Sequence, residues 1–400
     1  MARQIIVGID IGTFQTKVII AEGLEQNGHF APKIIGTGSC ETKGVERGYI
    51  INSNDAATSV RTAVSRAEKT AGVRARRAYV SFGGIGLGSL TTSGSVAISR
   101  ADMEITERDL TLALEAAEAA IPHAASLNKR IINTIPVEYK IDGKPVWGQA
   151  LGLKAVKLEV KALFITCLEH HLSELIKTVE EAGVEVVDVV AAPVAASLVT
   201  VGKKQKRVGC LLADIGAETL STIVFENNNM VSLEVFPIGG ADITNDIALG
   251  LKMSLEDAEN VKLGGLTHAN YTKKKLEEII YARLGDCLEL IEIHLKKLGR
   301  AGLLPAGIIF TGGTASTPGL KTFAEEALRL PAQLAEIHFG TGVVSKIREN
   351  IWATACGLVL LGFNSADGEN LVGHRRGSIT AADGQRLFHR VSRWLTQLLP

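Results

Sequence analysis
The sequence predicts an α/β protein built as two similar domains around a shared cleft, and three stretches predict it. From Val7 to Ile20 an apolar strand runs into Asp10-Ile11-Gly12-Thr13 and out into a second apolar strand. This is a β-hairpin pattern with an acidic residue at the strand end and a small-residue turn. Such a turn lets backbone N–H groups face a phosphate with no side chain in the way. Leu211 to Phe225 repeats the pattern around Asp214-Ile215-Gly216-Ala217-Glu218-Thr219, with the two aspartates 204 positions apart. A duplicated hairpin at that distance fits two domains, each giving one turn to a common cleft. The third stretch, Gly307 to Thr314, is a strand ending in Gly312-Gly313.

A chain of 400 residues exceeds one ordinary hydrophobic core, which agrees with two or more domains. Lys plus Arg and Asp plus Glu both number 43, so no global field draws the protein to nucleic acid or to a membrane. The five cysteines (Cys40, Cys167, Cys210, Cys287, Cys356) are scattered and form no CxxC pair, so they read as small buried hydrophobes of a reducing compartment. The chain opens directly on a strand pattern, so no signal peptide is expected. No apolar run approaches the roughly 20 residues that span a bilayer.

In chain order, Arg3 to about Gly84 reads as strand, hairpin, strand, helix, strand. The helix is expected over about Asp55 to Thr70, with Asn52, Ser53 and Asn54 as N-cap candidates and Gly72 as its stop. Ala78 to Phe82 is a buried-type strand. The run Gly83-Gly84-Ile85-Gly86-Leu87-Gly88 has the look of a dinucleotide loop, but no helix follows it. Residues 85–165 read as a self-contained α+β stretch. It holds a strand at Ser95 to Ile98, a helix opened by Thr106 with Asp109 as capping partner, and strands at Ile131 to Ile135, Tyr139 to Lys144 and Val160 to Cys167. His123, His170 and His171 have no matching carboxylate or cysteine spacing and read as surface or helix-end residues.

A helix from Glu169 stops at Gly183, a strand covers Val184 to Val190, and Pro193 sits in the first turn of a short small-residue helix. Lys203 to Arg207 reads as a solvated basic loop. After the Asp214 hairpin, with its far turn at Asn227 to Asn229, helices are expected at Ile243 to Leu251, after Ser254 with Asp257 as capping partner, and from about Lys274 to Leu298. Trp352 to Leu360 is a small-residue helix able to pack closely on another and to act as a hinge. Residues 364–383 lack periodicity and read as a linker. In the last stretch Leu387, Val391, Trp394, Leu395 and Leu398 share one helical face, Phe388 and Leu399 border it, and Arg386, His389, Arg390 and Arg393 lie elsewhere on the wheel.

Two phosphate hairpins followed by a late Gly-Gly turn are the signature of the actin-like ATPase fold, and the whole order resembles the FtsA family of bacterial cell-division proteins. The ATPase motifs are shared with actin, MreB, DnaK-type chaperones and sugar kinases. The specific likeness lies in Ile132-Asn133-Thr134-Ile135-Pro136-Val137-Glu138-Tyr139-Lys140-Ile141-Asp142-Gly143 and in Ile238 to Ala248. The resemblance covers nearly all of the chain. It implies duplicated RNase H-like domains around a nucleotide cleft, with an FtsA-type 1C insert. The implied division is 1A at 1–84, 166–202 and 346–363; 1C at 85–165; 2A at 203–242 and 304–345; and 2B at 243–303. A flexible linker at 364–383 and an amphipathic membrane helix at 384–400 complete it.

The resemblance also implies the site. Asp10 and Asp214 would hold Mg2+ through water, as suits an ion that keeps its own waters. Gly12, Thr13, Phe14 and Gln15 would face the phosphates of ATP from one side, and Gly216, Ala217, Glu218 and Thr219 from the other. Lys17 falls where actin has a phosphate-contacting lysine; its other reading is a charge on a strand edge. Glu259 and Lys262 match the ribose- and adenine-binding pair, and Gly240, Gly312, Gly313 and Thr314 complete the nucleotide contacts. Two departures stand out. The second hairpin usually reads Asp-x-Gly-Gly-Gly-Thr, and Glu218 here either repels the phosphates or points to solvent. Ala192 precedes Pro193 where MreB-like proteins carry a water-orienting glutamate, so ATP binding with weak or absent turnover is expected.

For the last stretch the implied role is a membrane anchor, with arginines drawn to anionic lipid and Trp394 in the bilayer interface; a helix docked on its own domain is the other reading. The implied partners are FtsZ filaments, whose tail docks on 2B, further copies of the chain in a filament, and later division proteins through 1C. The implied location is the cytoplasmic face of the inner membrane at the division site. A PilM-like pilus-assembly protein and a small-molecule kinase of the same superfamily are the alternatives. The first lacks the terminal helix, and the second needs a catalytic aspartate and a sugar pocket that the sequence does not show.

Overall fold
The computed structural model describes residues 4–26, 29–146, 148–265, 271–339, 341–342 and 349–369. The first elements are β1 (Ile5–Ile11), β2 (Gln15–Gln26), β3 (His29–Glu41), β4 (Val45–Glu46), β5 (Tyr49–Ile50), α1 (Ser53–Ala71) and β6 (Arg77–Phe82). Then come β7 (Gly88–Ala97), α2 (Glu107–Ala119), α3 (His123–Ser126), β8 (Lys129–Ile141), β9 (Lys144–Val146) and β10 (Lys157–Leu168). The chain continues through α4 (Glu169–Glu181), β11 (Glu185–Ala191), α5 (Ala192–Thr200) and α6 (Lys203–Val208). The second hairpin follows in β12 (Cys210–Ile215), β13 (Leu220–Glu226) and β14 (Asn229–Phe236), then α7 (Gly240–Leu251), α8 (Leu255–Lys262) and α9 (Lys273–Lys297). The last are β15 (Ile308–Thr311), α10 (Leu320–Leu328), β16 (Ala332–Leu334), β17 (Thr341–Gly342) and α11 (Ala353–Glu369).

The duplication read from the two hairpins is present in the sheets. One runs β11-β6-β1-β2-β3-β17, and the other contains β16-β15-β12-β13-β14. In each, three consecutive antiparallel strands are flanked by two parallel ones beside the strand that carries the aspartate. That strand is buried on both faces, as a central strand with parallel neighbours should be: Val7, Ile9, Leu211, Leu212 and Ala213 are all in the core. Local signals hold where they are strong. Asn52 caps α1 through its side chain, and Gly72 ends it in the left-handed region. Asn227 and Asn228 both take positive φ in the tight turn between β13 and β14.

Helix α5 lies between the two sheets. Its apolar residues join one continuous core with β6, β11 and α11 on one side and with Leu212, Ile223 and Phe225 on the other. A separate core fills the space between β12, β15, α7, α9 and α10. The stretch from β7 to β10 has its own small core, around Ile105, Ala113, Leu158 and Phe164. Its sheet is nevertheless continuous with the second half. Glu234 of β14 pairs with Gly88 of β7, the Ser89 hydroxyl donates to the Leu233 carbonyl at 3.0 Å, and the Leu233 N–H donates to the Ser89 oxygen at 2.8 Å. The order of the outer strands is β14-β7-β10-β8-β9.

Three expectations are corrected. The strands expected at Ile131 to Ile135 and Tyr139 to Lys144 are largely one strand, β8, which passes through Pro136. The register against β10 shifts there, between Lys161 and Ala162, and a bulge is where a residue without an N–H is tolerated. Lys203 to Arg207 is a short helix rather than a loop, with the Gln205 side chain accepting from Gly202 N–H at its start. Helix α11 runs on to Glu369, past the expected linker start at 364, because a nucleated helix adds each further residue at little cost. The rest of that linker and the terminal stretch 384–400 lie outside the described residues.

Candidate nucleotide site
Asp10 and Lys17 sit opposite each other on β1 and β2, so the hairpin register alone makes them neighbours. Lys17 Nζ lies 3.4 Å from Asp10 Oδ2, and both residues are buried. The Ser81 hydroxyl, from the end of β6, donates to Asp10 Oδ1 at 2.8 Å. The turn between them closes by Gly12 N–H donating to the Gln15 carbonyl at 3.2 Å. The Phe14 carbonyl accepts from Thr42 N–H at 3.0 Å, while the Phe14 side chain is 57% exposed.

The second hairpin is built alike. Gly216 N–H donates to the Thr219 carbonyl at 2.8 Å. Its outer face is held by the start of α7 and by the turn after β15. The Gly216 carbonyl accepts from Gly240 N–H at 2.9 Å and from the Thr314 hydroxyl at 3.0 Å, and the Ala217 carbonyl accepts from Ala241 N–H at 2.7 Å. These approaches demand small residues. A Cβ on Gly240 would lie 2.4 Å from Thr314 Oγ1. One on Gly312, which has φ +88°, would lie 2.4 Å from Asp214 Oδ1. Gly313, by contrast, opens toward Ile351 with room for a Cβ.

The Glu259 and Lys262 pair reaches this same turn. Lys262 Nζ is 2.6 Å from Glu259 Oε2 and donates to the Gly240 carbonyl at 3.0 Å and to Thr244 Oγ1 at 2.8 Å. The Thr244 hydroxyl donates to Glu259. Thr244 and Ser81 were not singled out in the sequence. Thr244 stands one helical turn after Gly240, a spacing that could have pointed to it. Ser81 becomes a neighbour of Asp10 only through the parallel pairing of β1 with β6, which no local pattern reveals.

The carboxylates of the two hairpins are close enough to interact. Burial first, and the nearby Asp10 carboxylate second, push the Asp214 carboxyl up to about 6 against the opposing charge of Lys17. Asp10 and Asp214 therefore face a common space that a cation would relieve. Among the described residues the N–H groups of Thr13, Phe14, Ala217 and Glu218 donate to no protein acceptor. Two carboxylates, a buried lysine, free turn amides and glycine cradles are a donor set that fits a magnesium-bound nucleotide. Ala192 lies against Gly83, 3.4 Å from where a Cβ there would stand, so a methyl group occupies the start of α5.

Glu218 makes an exposed contact that neither expectation included. Its Oε2 accepts from the Arg47 N–H at 2.6 Å, across the cleft, and Gly48 N–H, the next along, donates to Thr13 Oγ1 at 3.3 Å. No motif marked residues 44–50 as part of the site.

Comparison with known proteins places this geometry. A family model described as cell division protein FtsA matches residues 211–357, and one described as the SHS2 domain inserted in FTSA matches residues 84–166. Cell division protein FtsA of Bacillus subtilis is 30% identical over 379 residues, covering 89% of this chain and 83% of that protein. The Pseudomonas aeruginosa protein of the same description is 28% identical over 417 residues, covering 98% and 97%. Among solved structures, a PilM–PilN type IV pilus biogenesis complex superposes with a TM-score of 0.65 at 17% identity, covering 90% of this chain and 98% of that one. MreB5 of Spiroplasma citri bound to ADP gives 0.50 at 13%, covering 93% and 99%. The fold is the actin-like one.

Proposed function
Because the chain belongs to the FtsA family of cell-division proteins, we propose that it binds ATP with magnesium, assembles with copies of itself and tethers FtsZ filaments to the cytoplasmic face of the inner membrane. The observation that carries the nucleotide part is the proximity of Asp10 and Asp214 between two turns in which, among the described residues, the Thr13, Phe14, Ala217 and Glu218 amides donate to no protein acceptor. Magnesium would supply the positive charge that these carboxylates lack for holding a triphosphate. The chain's own residues do the rest: the turn amides orient the phosphates, Lys17 adds a fixed charge, and Gly240, Lys262 and Glu259 bound the base and ribose. With Ala192 at the start of α5, no carboxylate stands there to orient water, so turnover is slow or absent.

FtsZ's tail is proposed to dock on residues 243–303. Helices α7 and α9 there border a shallow, open groove of about 500 Å³ lined by Leu249, Ile279 and Arg283. Leu249 is 79% exposed, and the Arg283 guanidinium is held by Asp246 at 2.7 Å and Asp286 at 3.1 Å. Arg283 is neutralised by these two carboxylates, so what the groove offers a short peptide is its apolar rim. The insert of residues 85–165 is proposed to receive later division proteins. The terminal stretch, with Leu387, Phe388, Val391, Trp394, Leu395, Leu398 and Leu399 beside Arg386, Arg390 and Arg393, is proposed as the lipid anchor. Polymerisation would strengthen so short an anchor through avidity.

Co-pelleting with anionic vesicles, comparing the full chain with one ended at Asp383, tests the anchor. The full chain is expected to pellet and the shortened one to stay in solution. If neither pellets, the tethering reading fails.

The raised carboxyl makes a second expectation. In the ligand-free protein Asp214 carries a proton below pH about 6, and a cation must displace it. Affinity for magnesium-ATP is expected to be flat above pH 7 and to fall toward tenfold per unit below about 6. Calorimetry at pH 6 in buffers of different ionisation enthalpy should then read a fraction of a proton released. Pairs of values that agree between buffers would contradict it.

A further inference from the structure
The turn between β4 and β5 is locked to the first half of the molecule. The Gly44 carbonyl accepts from Ile51 N–H at 2.9 Å and from Asn52 N–H at 3.1 Å, which closes the loop at its base. The Tyr49 ring stacks on His171 of α4, with centroids 3.7 Å apart and planes within 8°. Gly48 lies so close to the end of β6 that a Cβ would stand 2.7 Å from the Gly83 carbonyl oxygen. At the tip, Arg47 and Gly48 both take left-handed φ, +48° and +76°. Each supplies an N–H, and each N–H goes to a different phosphate hairpin. Gly48 donates to Thr13 of the first, and Arg47 donates to Glu218 of the second.

From this arrangement we propose that residues 44–50 form a strap across the phosphate end of the cleft and that Glu218 is the bolt holding it shut, so that bound nucleotide leaves slowly. This inference rests on reading the cleft as a nucleotide site. The 2.6 Å contact is the only one of the strap's two amide bonds that crosses from one half to the other among the described residues. It is a charge-assisted bond to a rigid donor, so little ordering is lost when it forms. Opening the halves must break it. A glycine at position 218 would have no side chain to reach Arg47. The same geometry explains how a carboxylate is tolerated beside phosphates: Oε2 is engaged by the strap.

The test uses the full chain and its Glu218→Ala and Glu218→Gln variants. One measurement is release of N-methylanthraniloyl-ATP, chased with excess ATP in the stopped flow. Release from the alanine variant is expected to be about tenfold faster than from the wild type, as loss of one hydrogen bond to a charged group would give. The glutamine variant, whose carbonyl still accepts from Arg47, should fall between. If both variants hold nucleotide as long as the wild type or longer, Glu218 acts only by repulsion and the bolt is overturned. The second measurement is amide hydrogen exchange at Arg47 without nucleotide, expected to quicken in the alanine variant. Should the wild type hold no labelled nucleotide, the reading of the cleft falls and this exchange alone decides: an unchanged rate overturns the bolt.

Discussion

Gly357→Val is expected to lower the melting midpoint of the protein by about 4 °C, corresponding to roughly 3 kcal/mol over a chain of this length. Gly357 is on α11, where that helix crosses α5. A Cβ at this position would stand 1.8 Å from the Ala195 carbonyl oxygen and 2.4 Å from the carbonyl carbon. The obstacle is helix backbone, which cannot turn aside as a flexible side chain could. The two helices must separate, and the surrounding core must separate with them. That core joins β6 and β11 of one half to Leu212, Ile223 and Phe225 of the other through α5. Gly8 makes the same point from β1, where a Cβ would meet the Ala355 carbonyl oxygen at 2.8 Å. Differential scanning calorimetry is the direct check, and a midpoint within 1–2 °C of wild type would show that the crossing can relax at small cost.

Asp10→Asn is expected to weaken magnesium-ATP binding about a hundredfold while leaving the fold in place. The amide keeps an oxygen to accept from Ser81, which now donates at 2.8 Å, and it preserves the shape of the site. What it removes is the charge that faces Asp214 and balances Lys17. Titration with a fluorescent ATP analogue in the presence of magnesium gives the affinity, and circular dichroism verifies the fold. Wild-type affinity in this variant would remove Asp10 from the nucleotide site altogether. Loss of binding together with loss of the fold would mark Asp10 as structural, since Lys17 and Ser81 would then be buried around a group they cannot use.

Much of the candidate site's local geometry was legible because its pieces are local. Each Asp-Ile-Gly hairpin is a run of strand, tight turn and strand, and such a run declares itself in the order of its residues. The pairing of Asp10 with Lys17 follows from hairpin register, and the contact of Glu259 with Lys262 from one turn of helix. Helix ends were equally readable at Asn52, Gly72 and Ser254, where a cap satisfies backbone groups within a few residues. Where the reading went astray, the deciding contact was distant. Pro136 looks like a strand breaker until pairing with β10 leaves Val137 of β8 as an extra residue, a bulge beside the proline.

The sequence by itself determined that there are two like halves, that each carries an Asp-Ile-Gly hairpin, and which carboxylates and glycines those turns hold. Only the tertiary structure decided how the halves meet. It set Ser81 beside Asp10 through a parallel pairing, and it extended the sheet of the insert into the second half through β7 and β14. It also gave Glu218 a partner 171 positions away in sequence. The reason is one of range. Turn and helix geometry are set by dihedral preferences of neighbouring residues, whereas a contact between remote segments exists only once burial of apolar surface has brought their backbones together.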